Sequence, residues 1–219
     1  MTRLWDKETP LDKHILNFTA GDDHRLDTRL VKYDVLASIA HVQMLTEKRL
    51  LSLKDCEVIC DGLTALGEQH ARGEWSISLE EEDAHGALES RLVDRIGPTG
   101  GRMHLGRSRN DQVLVALRLY LKDTAEVLQA GAEVVASALD ALVERQGEIP
   151  LPGYTHMQPA MPSSVALWAQ GFAAELRDDA YGLDAAKNRA DLNPLGSAAG
   201  YGTPGLDLDR DSTRQKLGF

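Results

Sequence analysis

Several features are scarce in this sequence of 219 residues, and each scarcity excludes something. No apolar run approaches the 18 residues that a membrane-spanning helix needs, so a membrane role is not expected. Only two cysteines are present, Cys56 and Cys60, and they lie four residues apart in a helical pattern. This spacing favours two reduced thiols on one helix face over a disulfide.

Basic residues are outnumbered, with 24 Lys and Arg against 34 Asp and Glu and a formal net charge of -10. Such a charge repels polyanions, so nucleic acid is not an expected partner. The first eight residues are mixed in charge and contain no apolar core of the kind that secretion signals have. We therefore expect a soluble cytoplasmic protein.

Alternating strand patterns are nearly absent, whereas apolar residues recur three and four positions apart along most of the chain. The pattern predicts an all-α fold, with helices over 30–50, 53–70 and 79–96. Capping boxes at Ser52 with Asp55 and at Ser78 with Glu81 mark the starts of the last two. The glycine-rich segment 97–106 predicts a flexible connector and a domain boundary near residue 100. The predicted domains are a small helical domain over 1–100 and the first long helices of an elongated helical bundle over 101–219.

The strongest structural pattern lies between Asn110 and Gln146, a segment without proline. Apolar residues fall seven apart there, as in the seam of a helical bundle. A helix of this length spans about 55 Å, longer than the diameter of roughly 45 Å of a compact globule of this size. We expect the bundle to be completed by other chains or by further sequence. Beyond it the pattern predicts a loop over 150–162 and helices over 163–190 and from 211. The seam consists of Leu114, Leu121, Leu128, Val135 and Leu142.

A dense polar cluster, Gly106–Gln112, stands between the glycine-rich segment and the long helix. A helix N-terminus carries partial positive charge, and the two arginines Arg107 and Arg109 add forks that bind carboxylate or phosphate. The cluster thus predicts an anion site, and the alternative is an ordinary solvated helix start capped by Ser108 or Asn110. A nucleotide-binding loop is not expected, because no strand precedes the glycines.

Two further clusters carry titratable groups. Gly153–Gln158 lies in a proline-rich turn and contains His156, which titrates near neutrality and suits acid–base chemistry, although an exposed structural histidine is the simpler alternative. Acidic residues at 80–83 suit the start of a helix. His85 and Glu89 share a helix face, but no second histidine lies four residues on, so no metal site is expected.

The segment Gly106–Gln112, preceded by His104, resembles the His-Thr-Gly-Arg-Ser-Arg-Asn-Asp-Gln motif of argininosuccinate lyases and the related δ-crystallins. Further segments match blocks of this family in the family's order. The resemblance implies the aspartase/fumarase superfamily, whose members are α-helical homotetramers that eliminate fumarate from succinyl compounds at sites assembled from three subunits. The matching segments are Tyr33–His41, Glu82–His85, Gly153–Gln158 and Pro194–Ser197.

By this resemblance the reaction is the elimination of argininosuccinate to arginine and fumarate, a step of arginine biosynthesis that needs no cofactor or metal. The small-molecule substrate would be argininosuccinate, and the partner a further copy of the chain. The resemblance implies catalytic roles for His156 and Thr155, with the choice between proton donor and acceptor left open for the histidine. The implied substrate-binding residues are Ser108, Arg109, Asn110, Gln158, Asp27, Asp83 and His85.

The sequence also departs from the family. Leu105 stands where the family usually has threonine, and Met161 where glutamine is common. Family members are about twice as long, and their loop Gly-Ser-Ser-x-Met-Pro-x-Lys-x-Asn, which carries the catalytic serine, has no counterpart within these 219 residues. We therefore expect an N-terminal half that is inactive alone. The alternatives are a non-catalytic crystallin-like structural protein and another fumarate-releasing lyase of the superfamily.

Overall fold

The computed structural model describes residues 12–219, and the mixed-charge N-terminal segment lies outside this range. The predicted all-α class is confirmed, since helices make up most of the described residues. None of the helices in this range combines the length and the apolar character needed to cross a membrane. The α-helices are α1 (Lys13–Ala20), α2 (Asp23–Leu26), α3 (Val31–Glu47), α4 (Leu53–Ala71), α5 (Ala84–Ile96), α6 (Arg109–Gln146), α7 (Val165–Ala190) and α8 (Arg210–Lys216). Two 3₁₀ helices (Asp27–Arg29 and Gly97–His104) and two strands, β1 (Pro150–Thr155) and β2 (Gln158–Ser164), complete the described fold.

The chain divides into two compact units. Of the described residues, the first unit comprises 12–120 together with Leu192–Phe219, and the second unit comprises Leu121–Asp191. Helix α6 therefore begins in the first unit and ends in the second. The domain boundary that the glycine-rich segment predicts near residue 100 stays a prediction.

The first unit is built around α3, α4 and α5, which bury large aliphatic side chains against each other. Each fully buried side chain of this kind contributes about 1.5–3 kcal/mol. Gly62 on α4 permits the close approach of α5, because a Cβ at this position would lie 2.6 Å from Leu92 Cδ1. Cys56 and Cys60 are free thiols on one face of α4, as predicted. The central core side chains are Val31, Val42, Leu45, Ile59, Leu63, Leu88 and Leu92.

The helix starts agree with the predictions except at α5. Ser52 caps α4 as predicted, its Oγ accepting a hydrogen bond from the Asp55 amide. The box at Ser78 and Glu81 also forms both of its hydrogen bonds. The helix predicted from residue 79 nevertheless begins only at Ala84, because Glu82 adopts a left-handed backbone (φ 68°) that a helix does not tolerate. The predicted flexible connector after α5 is largely a 3₁₀ helix, Gly97–His104.

The second unit pairs the distal part of α6 antiparallel with α7. The buried apolar side chains of this unit are small, namely Ala125 and Ala136 on α6 and Ala169 and Ala173 on α7. Ion pairs from Arg177 to Glu133 and Asp140, and from Lys187 to Glu126, link the exposed edges of the pair. The predicted long helix is confirmed, but within this unit its seam residues Leu121, Leu128 and Val135 are exposed.

The segment 150–162, predicted as a loop, is instead most of an antiparallel hairpin. Strand β1 pairs with β2 from Pro150 opposite Ser164 to Thr155 opposite Gln158, with an irregularity between Pro152 and Tyr154. Prolines disfavour central strands because they lack an N–H donor, but in a two-stranded ribbon every strand is an edge and tolerates them. The proline content therefore misled the sequence interpretation at this point.

Candidate active site

The N-terminus of α6 presents Ser108, Arg109 and Asn110, three of the predicted substrate-binding residues. Ser108 Oγ accepts from the Asn110 amide (3.2 Å) and from Asn110 Nδ2 (3.0 Å). The Ser108 amide in turn donates to Asp111 Oδ1 (2.9 Å), so Asp111 satisfies the Ser108 amide while Ser108 satisfies the Asn110 amide. The amides of Ser108 and Asn110 therefore already have acceptors within the protein, and the anion site predicted at this helix start stays a prediction.

The start of α5 brings Asp83 and His85 to the same place as Arg109. Asp83 caps the helix, with Oδ1 accepting from the Gly86 amide at 2.7 Å. Its other oxygen, Oδ2, lies 3.2 Å from His85 Nε2 and 3.5 Å from Arg109 Nη1. Gly86 is required at this turn, since a Cβ there would lie 2.8 Å from Asp83 Oδ1. One carboxylate therefore organises both a histidine and an arginine.

Asp27 reaches the same turn from another element. It begins the first 3₁₀ helix, and its Oδ2 accepts from the Ala84 amide at 3.2 Å. This contact joins the segment before α3 to the start of α5 across 57 positions of sequence. The structure thus brings together Asp27, Asp83, His85 and Arg109.

Burial controls the charge state of this cluster. Removal from water raises the pKa of Asp83 and of Asp27, because the charged carboxylate loses its hydration. Burial, and then the positive charge of Arg109, lower the pKa of His85 to about 4. His85 is therefore neutral at neutral pH, and Arg109 is the cation that faces Asp83. His85 and Glu89, considered for a metal, have separate partners, Asp83 and His104.

The remaining residues of the polar cluster point into the first unit. Asp111 is buried, and its Oδ2 accepts from the amides of Gly196 (3.1 Å) and Ala198 (2.9 Å), which fixes the loop before α8. Gln112 is fully buried and donates to Asp34. These structural roles were not predicted from the sequence. The available signal was a set of polar residues at Asp34, Ser38 and His41 on the otherwise apolar face of α3.

Thr155, His156 and Gln158 lie at the tip of the hairpin in the second unit. His156 and Met157 form its two-residue turn, and both have left-handed backbones, with φ of 48° and 65°. Two such residues match the turn that fits the twist of a two-stranded ribbon. Thr155 and Gln158 face each other as the last pair of the ladder. All four side chains are exposed, and Met157 is 91% exposed.

A family model described as Lyase matches residues 7–219. The argininosuccinate lyase of Sorangium cellulosum is 45% identical over 217 residues, which cover 99% of this chain and 50% of that protein. The argininosuccinate lyase of Thermotoga neapolitana is 40% identical over 217 residues, covering 99% of this chain and 54% of that protein. The chain thus spans about half the length of the curated relatives it matches.

Among solved structures, a variant of EDDS lyase with bound fumarate has a TM-score of 0.74 and 28% sequence identity. The similarity covers 86% of this chain and 37% of that one. The helical fold, the polar cluster at the start of α6 and the family match over residues 7–219 all indicate the same family. The chain belongs to the lyase family whose sequence model it matches.

Proposed function

We propose that this chain forms the substrate-binding part of an argininosuccinate lyase, which eliminates fumarate from argininosuccinate and leaves arginine. The observation that carries the proposal is the meeting of Asp83, His85 and Arg109 beside Ser108 and Asn110. These positions are the ones to which the family resemblance assigns substrate contacts. The two curated relatives described above carry the name of this enzyme.

The chemistry of the reaction explains these residue types. Removal of a proton next to a carboxylate builds negative charge on that carboxylate, and preorganised donors stabilise it. Arg109 supplies a cationic fork, and Ser108 and Asn110 supply neutral donors. Asp83 orients Arg109 and the neutral His85, while the bond from Asp27 to the Ala84 amide favours a positioning role for Asp27.

In this proposal the second unit supplies the groups that handle the proton. His156 acts as the acid–base residue or as its charge partner, and Thr155 and Gln158 donate hydrogen bonds to the substrate. All three are exposed at the hairpin tip and so are accessible to a substrate held by other polypeptide segments. The serine-bearing loop of the family comes, in this proposal, from beyond these 219 residues.

We further propose that the chain assembles with copies of itself, as a tetramer in the working enzyme. The exposed seam on α6 supports this, because Leu128 and Val135 are 53% and 50% exposed in the chain alone. Soluble proteins rarely leave such a contiguous apolar stripe in water. A cytoplasmic location stays a prediction.

The test is fumarate release from argininosuccinate, followed by ultraviolet absorbance. The chain is assayed alone and together with a polypeptide that supplies the remaining length of the Sorangium cellulosum relative. We expect release only from the mixture, and a marked loss when the mixture contains Arg109→Lys. Arg102→Lys is the matched control, since Arg102 pairs with Asp55 away from the cluster. An inactive mixture would favour the crystallin-like alternative, and turnover of a different succinyl compound would favour another lyase.

A further inference from the structure

A buried polar network adjoins residues 108–110, at the start of α6, in the first unit. Asp34, on α3, accepts from Gln112 Nε2 through both oxygens, at 2.9 and 3.0 Å, and from Ser38 Oγ at 3.1 Å. Ser38 Oγ in turn accepts from Arg107 Nη1 at 2.9 Å. Asp34, Ser38 and Gln112 are each at most 2% exposed. A continuous path of hydrogen bonds therefore leads from α3 to both ends of the segment 107–112.

Arg107 is held from a second side by α5 and the 3₁₀ helix before α6. Its Nη2 lies 3.3 Å from His104 Nδ1, and His104 Nε2 lies 3.3 Å from Glu89 Oε2. Burial lowers the pKa of the Arg107 guanidinium, while the nearby carboxylates of Asp34, Asp111 and Glu89 raise it. The guanidinium of the half-buried Arg107 thus contacts the Ser38 hydroxyl on one side and the His104 ring on the other.

Stability alone does not account for this network. Within residues 12–219, two of its buried atoms, Arg107 Nε and Gln112 Oε1, have no hydrogen-bond partner. Incompletely satisfied buried networks are costly, and replacing buried charges by well-packed apolar side chains is often neutral or stabilising. What the polar residues add is a defined orientation of the segment that bears them.

That segment alternates in direction in a way that suits such a role. Asp111 and Gln112 are buried and Arg107 donates inward to Ser38, whereas Ser108 and Arg109 are half-buried and Asn110 is exposed. We propose that Asp34, with Ser38 and Gln112, is a positioning residue that anchors both ends of this segment and so holds Ser108–Asn110 in the substrate-binding conformation. None of the three touches substrate. The inference rests on the proposed lyase function.

The test exchanges the carboxylate of Asp34 on α3 and the amide of Gln112 on α6. The variants are made in this chain and assayed together with the complementing polypeptide. Asp34→Asn removes the carboxylate with little change of shape, and Gln112→Glu places a second carboxylate against the first. If residues 108–110 adopt the substrate-binding conformation only part of the time, the apparent affinity for substrate is multiplied by the fraction of molecules in that conformation. The bound complex then reacts as before. We expect each single variant to raise KM about tenfold with kcat within about twofold. The double variant, Asp34→Asn with Gln112→Glu, restores one carboxylate and one amide and should return KM to near the wild-type value.

Ser38→Ala provides a second, milder variant, since it breaks only the path from Arg107 to Asp34. Leu63→Ala is the structural control, because this core residue on α4 lies outside the network. If Asp34→Asn acted only by lowering stability, it would raise KM no more than Leu63→Ala does. An equal or smaller rise of KM in Asp34→Asn would therefore overturn the proposal. Additive effects in the double variant, without restoration, would overturn it as well.

Amide hydrogen exchange separates this inference from the proposed function. Asp34→Asn should speed exchange at residues 108–112 selectively and leave α4 unchanged, whereas Leu63→Ala should speed exchange across α4. A wild-type mixture that releases no fumarate would remove the lyase proposal, and the exchange pattern would then decide the positioning role. Unchanged exchange at 108–112 in Asp34→Asn contradicts it.

Discussion

The two units of this chain bury different kinds of side chain. The first unit buries leucine, isoleucine and valine among three helices and encloses a polar network. The second unit buries mainly alanine between two helices and leaves large apolar side chains in contact with solvent, among them Leu128, Trp168 and Phe172. Since burial of apolar area is the main stabilising contribution, the first unit contains its own core, whereas the second unit has few large apolar side chains buried.

The candidate site residues also differ in burial between the two units. In the first unit Asp83, His85 and Arg109 are partly or fully buried and hold each other in place. In the second unit the residues at the hairpin tip are exposed. We infer that the first unit has a preformed binding cluster, and that the hairpin acquires its surroundings from other segments. The predictions below test this contrast.

The largest expected effect concerns catalysis by the second unit. His156→Asn should lower kcat about 10²–10⁴-fold in the complemented enzyme, with a smaller change in KM, because the imidazole is proposed to act on the proton in transit. Asparagine tolerates the left-handed backbone of the turn, so the hairpin should persist. His14→Asn, at an exposed position on α1, is the matched control. A kcat within twofold of wild type would remove His156 from the mechanism.

A comparison of two leucines tests the contrast in burial. Leu63→Ala in the first unit should lower the free energy of unfolding by about 2–5 kcal/mol, because it leaves a cavity in the core. Leu128→Ala in the second unit should change the unfolding of the isolated chain by about 0.5 kcal/mol or less. It should instead weaken self-association, measured by sedimentation. Equal losses of stability in denaturant titrations would contradict the division described above.

Acidification should destabilise the first unit. Burial lowers the pKa of His85 to about 4 and of His41 to about 3, against 6.5 for the ordinary side chain. Below pH 6.5 the unfolded chain therefore binds protons that the folded chain does not, so stability is complete above this pH and falls as the pH is lowered toward 4.

The loss for each histidine should be about 1.4 kcal/mol between pH 7.5 and pH 5.5. Denaturant titrations at the two pH values measure it, and His85→Asn should remove about half of the dependence. A dependence that is the same in the variant would show that His85 does not carry the effect. His14→Asn, at an exposed position, should leave the dependence unchanged.

The smallest expected effect concerns binding by the first unit. Arg109→Lys should raise KM about tenfold, since an ammonium does not reproduce a two-pronged bond to a carboxylate. Its effect on kcat should be smaller than that of His156→Asn. Steady-state kinetics of the two variants side by side would separate a binding role from a proton-transfer role. A larger change in kcat than in KM for Arg109→Lys would contradict a binding role for this residue.

Sequence patterns predicted the helices well and the irregular segments poorly. Helix α4 follows its predicted bounds closely, because its start depends on a cap that lies within four residues. The hairpin was predicted as a loop, because both of its strands contain prolines, and prolines have a low intrinsic preference for strands. The site residues were identified by resemblance, whereas the supporting residues Asp34 and Gln112, 78 positions apart, were not singled out.

The sequence by itself determined the helical class, the long helices α6 and α7 and most of the caps, since these depend on hydrogen bonds and spacings within a few residues. Only the tertiary structure decided which side of each helix is buried. It placed Arg107 against Ser38, Gln112 against Asp34 and Arg109 beside Asp83, and it left the seam of α6 exposed while alanines of the same helix are buried. Side-chain direction depends on which distant partner removes a group from water, and no local pattern specifies that partner.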